Sequence, residues 1–139
     1  MAYATRTDIE EIWGEQILID LLTPDVDAEV AVSNALTQAS GEMDVYLSAR
    51  YQLPLAGKPA ALIMPAVNIA VYNLAISHTS LTTTIEDRYK QTLKMLERIS
   101  EGKAGLGIDE PSVSSDPSAS SGGAAFSANA RVFSRKKLP

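Results

Sequence analysis

Residues 59–77, PAALIMPAVNIAVYNLAIS, are the longest apolar stretch of a 139-residue chain, and their reading decides the fold. A membrane-crossing helix needs about 20 mostly apolar residues, and this stretch just reaches that length. Asn68 and Asn73 interrupt it, however, and an amide is costly in lipid. No belt of basic or aromatic residues follows it. Its large apolar residues, Leu62, Ile63, Val67, Ile69, Val71 and Leu74, fall on nearly every face of a helix, the pattern of a helix enclosed by protein on all sides. The stretch therefore reads as the buried centre of a bundle, with no membrane involved. Pro59 suits a first helical turn. Pro65 either kinks the helix or is itself its true first turn.

The flanking segments supply the helices that would enclose it. Downstream, SLTTTIEDRYKQTLKMLERISEG has cap-forming threonines, early acids Glu86 and Asp87, and Ile85, Tyr89, Leu93, Leu96 and Ile99 on one face, with Gly102 to close it. Upstream, DVDAEVAVSNALTQASGEMDVYLSARY carries Val32, Leu36, Ala39, Met43, Tyr46 or Leu47, and Arg50 at steps of three and four. That is a helix of about six turns, capped by Asp25 or Asp27. Because Pro54 disfavours helical geometry in Leu53, it is expected to end near Tyr51. Further upstream, Thr7 and Glu10 form a capping-box pattern. Ile9, Ile12 and Trp13 then share a face, and Gly14 ends this short helix or bends it into a second one, EQILIDLL. The fold class is all-α, a small bundle of four to five helices over residues 1–108. A long extended C-terminal arm follows over residues 109–139, where periodicity stops and too little apolar surface remains to offset the ordering of the chain.

Composition narrows the chemistry. Hydrophobic residues are 45% and charged residues 21% of the chain, the balance of a globular domain rather than a disordered or fibrous one. With no cysteine, disulfides, thiolate metal sites and cysteine nucleophiles are excluded. The N-terminus shows no basic segment leading into an apolar run, so no secretory signal is expected. Residues 1–48 carry ten acids against the single base Arg6, a net of −9, whereas the last nine residues carry Arg131, Arg135, Lys136 and Lys137 and no acid. Charge split between two ends points to partner electrostatics, not to the broad basic face of a nucleic-acid-binding domain.

No enzyme signature emerges. His78 is the only histidine, and a general base needs an orienting partner and a nucleophile; SHTS reads better as a polar loop. The pairs Glu10–Glu11 and Glu86–Asp87 fall at helix starts, where the helix dipole accounts for them. A metal site without cysteine would need carboxylates, and no Asp-x-Asp-x-Asp loop is present. The GLG at Gly105 is too short for a phosphate cradle and follows no strand. No catalytic residue, cofactor or metal site is expected.

Two motifs stand out. In SARYQLPL, Arg50 and Tyr51 leave a helix directly into a Leu-Pro-Leu turn; the plain account is a helix C-terminus, Arg50 serving the dipole and Tyr51 packing. The chain then closes with ARVFSRKKL, in which Arg131, Phe133 and Arg135 alternate with Val132, Ser134 and Lys136. That is the period of an extended strand, of a kind that adds to a partner's sheet edge.

The stretches YATRTDIEEIWGEQILIDL, GEMDVYLSARYQLPL and RVFSRKKL resemble, in order along the whole chain, the gene-36 protein family of Mu-like phages and prophages. The matching positions are Tyr3, Ala4, Thr5, Asp8, Gly14, Glu15, Asp44, Tyr46, Leu47, Arg50, Tyr51, Leu53, Pro54, Leu55, Phe133, Ser134, Arg135 and Leu138. Trp13 departs from the family's usual Phe, and SHTSLTTT is richer in Thr and Ser than its usual charged loop. The resemblance implies a non-enzymatic virion protein, a head–tail connector (adaptor) subunit in a ring beneath the portal protein. A ring matched to the portal's twelvefold symmetry implies about twelve copies. The ring would be built in the host cytoplasm, meet a neighbouring neck or tail-completion protein, and pass genomic DNA through its channel without specific binding.

Arg131, Val132, Phe133, Ser134, Arg135, Lys136, Lys137 and Leu138 then become a docking strand for the portal, while Tyr46, Arg50, Tyr51, Leu53 and Pro54 become structural. A tail-completion or tail-terminator role ranks lower, since those folds usually mix helix and strand. A DNA-binding packaging regulator ranks lower still: four charges on a flexible end bind weakly and lose that binding steeply with salt.

Overall fold

The computed structural model describes residues 2–55 and 57–107. Over these residues the protein is all-helical: α1 (Arg6–Trp13), α2 (Gln16–Leu21), α3 (Ala28–Leu47), α4 (Ile63–Ser77) and α5 (Thr83–Ser100), with a 3₁₀ turn (Ala60–Leu62) leading into α4. The five α-helices agree with the expected bundle. The arm expected over residues 109–139 lies outside the described residues.

Helix α4 is the axis. Residues 65–71, Leu74 and Ala75 are buried, and α1, α3 and α5 all pack on it. By length and composition alone the segment Ala60–Ser77 would qualify as a membrane span; here it is wrapped by its own bundle. Pro65 is the third residue of α4, where a backbone amide has no intrahelical partner to lose. It is therefore a first-turn proline and not a kink.

Helix α5 buries Ile85, Thr92, Leu96 and Ile99 and turns its charges outward. Thr82 caps it by accepting from the Ile85 amide at 3.3 Å. It ends at Gly102, whose φ of +81° is a conformation that L side chains rarely adopt. The Gly102 amide reaches the Ile99 carbonyl at 3.1 Å and the Lys103 amide reaches that of Arg98 at 2.8 Å, the paired bonds of a Schellman stop.

Two boundaries differ from the sequence reading. The capping box at the start of α1 is Thr5–Asp8, not Thr7–Glu10: the Asp8 carboxylate accepts from the Thr5 amide at 2.7 Å, and the Asp8 amide returns to Thr5 Oγ1 at 3.4 Å. The reason is tertiary. Tyr3 and Ala4 are buried, and the Tyr3 amide donates to Ser40 Oγ of α3 at 3.0 Å. This fixes where the chain enters the helix, two residues earlier than local pattern suggested. At the other boundary, α3 ends at Leu47 rather than near Tyr51. The Arg50 amide bonds to the Leu47 carbonyl at 3.1 Å, three residues back, so the last turn tightens before the chain enters Leu53-Pro54. Of the two candidate caps of α3, Asp27 is the cap, accepting from the amides of Glu29 and Val30.

Candidate interaction surfaces

The residues that carry the sequence motifs are ties within the body. The Tyr3 hydroxyl donates a hydrogen bond to the Asp44 carboxylate across 41 positions of sequence. Burial first, and this bond second, hold the Tyr3 phenol well above its usual range. Arg50 Nη1 donates to the Ala104 carbonyl at 3.3 Å, and a Cβ placed on Gly102 would meet the guanidinium at 3.6 Å. Arg50 thus lies along the turn that closes α5, reaching the carboxyl end of that helix and not only of its own. It also stands 5.7 Å from the Tyr51 ring. Tyr51 and Leu55 are buried, Tyr46 and Leu53 are half-buried against the core, and Pro54 is exposed after a cis peptide bond. Arg131, Val132, Phe133, Ser134, Arg135, Lys136, Lys137 and Leu138 lie outside the described residues.

A polar chain crosses the bundle between α1, α4 and α5. The Trp13 indole donates to Asn68 Oδ1 at 3.2 Å, Asn68 Nδ2 donates to Thr92 Oγ1 at 3.2 Å, and Thr92 Oγ1 donates to the Arg88 carbonyl at 2.8 Å. The Arg88 guanidinium lies over the Trp13 ring at 4.3 Å, close enough for a cation–π contact. On the outside of this chain is a groove of about 290 Å³ lined by Ala61, Met64, Pro65, Asn68, Arg88, Gln91, Thr92 and Met95. Met64 and Met95 are exposed. Sequence reasoning noticed Asn68 only as an interruption and missed the groove, because its walls come from residues about thirty positions apart.

Charge is unequally distributed over the described surface. Glu11, Glu15, Asp20, Asp25, Asp27 and Glu29 are exposed around α1, α2 and the start of α3. Residues 30–85, by contrast, contain only four charged side chains: Glu42, Asp44, Arg50 and Lys58. Glu42 accepts from the Tyr89 hydroxyl at 2.7 Å, Asp44 accepts from Tyr3, and Arg50 serves the α5 turn. This depletion was legible in the sequence, but only the structure shows that those three charges are also engaged.

His78 follows the last turn of α4, half-buried beside Asn34, Gln38, Asn73 and Ser77. Its carbonyl accepts from the hydroxyls of Thr79 and Ser80, as suits a polar loop. Among the described residues, no group of three His, Cys, Asp or Glu side chains is placed to hold a metal ion.

These internal ties coincide with a known family. The family model described as Bacteriophage Mu, Gp36 matches residues 3–125. The chain belongs to this family. Among curated relatives, gene product J of Escherichia phage Mu is 30% identical over 120 residues, covering 83% of each chain. The Mu-like prophage FluMu protein gp36 of Haemophilus influenzae is 35% identical over 82 residues, 59% of this chain and 57% of the relative. The Gp36 match begins at Tyr3, the residue that ties the N-terminus to α3, and takes in every described element. It stops before Arg131, so the closing basic residues are outside the matched region. What the Gp36 family shares with this chain is therefore foremost a helical body.

Proposed function

We propose that this Gp36-family protein is a structural subunit of the phage particle, a head–tail connector that assembles as a ring beneath the portal and joins the filled head to the tail. The observation carrying this reading is that the motif residues Tyr3, Thr5, Asp8, Asp44 and Arg50 all serve the body's own bonds. The body they build offers its exposed surfaces, among them Ile19, Val45 and Met64, to partners. The family places such a body in a Mu-like phage. The exposed acids of α1, α2 and the start of α3 suit a channel that must not hold DNA, because like charge repels phosphates. A body of about a hundred residues is marginally stable alone, and neighbours in a ring would bury part of its remaining surface.

Within this reading residues 131–138 are the portal-docking strand, Val132 and Phe133 anchoring and Arg135, Lys136 and Lys137 meeting acids. Deleting residues 131–139 then abolishes portal binding and leaves helical content unchanged; normal incorporation of the shortened chain into heads overturns the docking role. The connector role is tested by negative-stain microscopy of lysates from a phage lacking the gene. Separate filled heads and complete tails are expected. Joined but non-infectious particles, or heads without formed tails, would move the protein to ejection or tail assembly.

A further inference from the structure

We infer that copies of this chain associate head to tail, the outward face of α3 on one copy lying in the Met64–Met95 groove of the next. This rests on the ring reading above and names its contact surfaces. Helix α3 turns Val32, Leu36, Ala39, Met43 and Leu47 inward. Its outward residues are Val30, Ser33, Asn34, Thr37, Gln38, Gly41 and Val45. Between Glu29 and Ser48, over about 27 Å of helix, the two charged residues, Glu42 and Asp44, are half-buried and held by the hydroxyls of Tyr89 and Tyr3. No unengaged charge therefore stands among these outward residues, and Val45 is 72% exposed. A face turned only to solvent has no need to exclude charge, whereas the centres of protein interfaces are depleted of it.

The groove is its counterpart. It is walled by α4, the preceding 3₁₀ turn and α5, with no residue from α3. In a bundle where α3, α4 and α5 all pack on one another, a seam between α4 and α5 that α3 does not line opens away from α3. The two surfaces thus lie on opposite sides of one subunit, as a repeating head-to-tail contact requires; such a contact closes into a ring when its rotation permits. Its one charge, Arg88, is already stacked on Trp13. Met64, 56% exposed, and Met95, 37% exposed, are flexible side chains that adapt to an incoming surface. Each copy carries a net charge of −5, so like copies approach with least repulsion where the groove has no acid and the two acids beside the α3 face are already hydrogen-bonded within their own copy.

The chain has no cysteine, which makes directed cross-linking unambiguous. V45C, M95C and the double variant are made in the full chain, at exposed positions, and treated with a short bis-maleimide both in phage particles and as concentrated protein. Circular dichroism confirms that each variant is folded. The double variant is expected to give a ladder of dimers, trimers and larger species, an equal mixture of the two single variants to stop at dimers, and each single variant alone to stay monomeric. Dimers from V45C alone would mean that two α3 faces meet each other, and would overturn the inference. Native mass spectrometry of the isolated neck separates the remaining outcomes. Several copies per particle with no ladder overturns these faces and leaves the ring intact; a single copy per particle overturns both.

Discussion

Helices α4 and α5 lie side by side, yet they relate to solvent in opposite ways. Helix α4 has no charged residue and buries most of its length. Helix α5 carries both acids and bases outside a narrow buried stripe. The contrast shows which residues define the body and which define its surface: substitutions along α4 alter stability, whereas outward substitutions on α5 alter what the body meets. The sharpest way to break this comparison is to change both helices in parallel. Ile69→Ala, at a fully buried site of α4, is expected to cost about 2–5 kcal/mol. Lys94→Ala, exposed on α5, should stay within about 0.5 kcal/mol of the parent. Urea unfolding followed by circular dichroism measures both, and equal losses would refute the axis-and-surface division.

Asn68 is the exception within α4, the polar side chain among its buried residues, and it sharpens the comparison. Asn68→Ala leaves the Trp13 indole without its acceptor and removes the amide donated to Thr92. A loss of about 1–3 kcal/mol is expected, the usual cost of stranding a buried polar group. Trp13 is the only tryptophan, so its fluorescence reports the site directly, and the emission should shift to the red as the indole finds water. An unchanged spectrum would mean that the bond does not position the ring.

Where α5 ends, the comparison extends to a residue of neither helix. Arg50→Ala removes the guanidinium that lies along Gly102 and donates to Ala104, at a cost of about 1–2 kcal/mol. Hydrogen exchange should rise in residues 98–104 more than in α3, where Arg50 stands in sequence. A rise confined to α3 would return Arg50 to the simpler part of serving its own helix.

That distinction marks how much of the fold and its surfaces the sequence made legible. The central helix could be read because its apolar residues cover nearly every face, and Gly14 and Gly102 could be placed because local backbone chemistry decides them, whereas which of the threonines caps α5 came only with the structure. The start of α1 could not. Thr5-x-x-Asp8 and Thr7-x-x-Glu10 both fit the capping pattern, and the choice is made by Tyr3 docking on Ser40, 37 residues away. Arg50 was legible as important but not in its partner, which lies 54 residues on. The groove could not be read because Met64 and Met95 look like ordinary members of two separate helices until the helices pack.

The smallest expected effect concerns two tyrosines that tie charged residues of α3 to its neighbours. Tyr89, on α5, stacks on Tyr72 of α4 at 3.7 Å and donates to Glu42; Tyr3 donates to Asp44. Both phenols are held above the ordinary value of 10.0, by burial first and by the adjacent carboxylate second. A group whose folded value is raised lends stability that is complete below its unfolded value and is lost as pH climbs through the folded one. Their contribution is therefore level through neutral pH and declines only above about pH 10. Tyr89→Phe and Tyr3→Phe should each cost about 0.5–1.5 kcal/mol at neutral pH, since each carboxylate left behind is half-exposed and can rehydrate. Each should also flatten the alkaline fall in stability. Thermal unfolding at a series of pH values above neutrality checks this, and a phenylalanine variant as sensitive to alkali as the parent would show that the decline comes from other groups, with the lysines first in line.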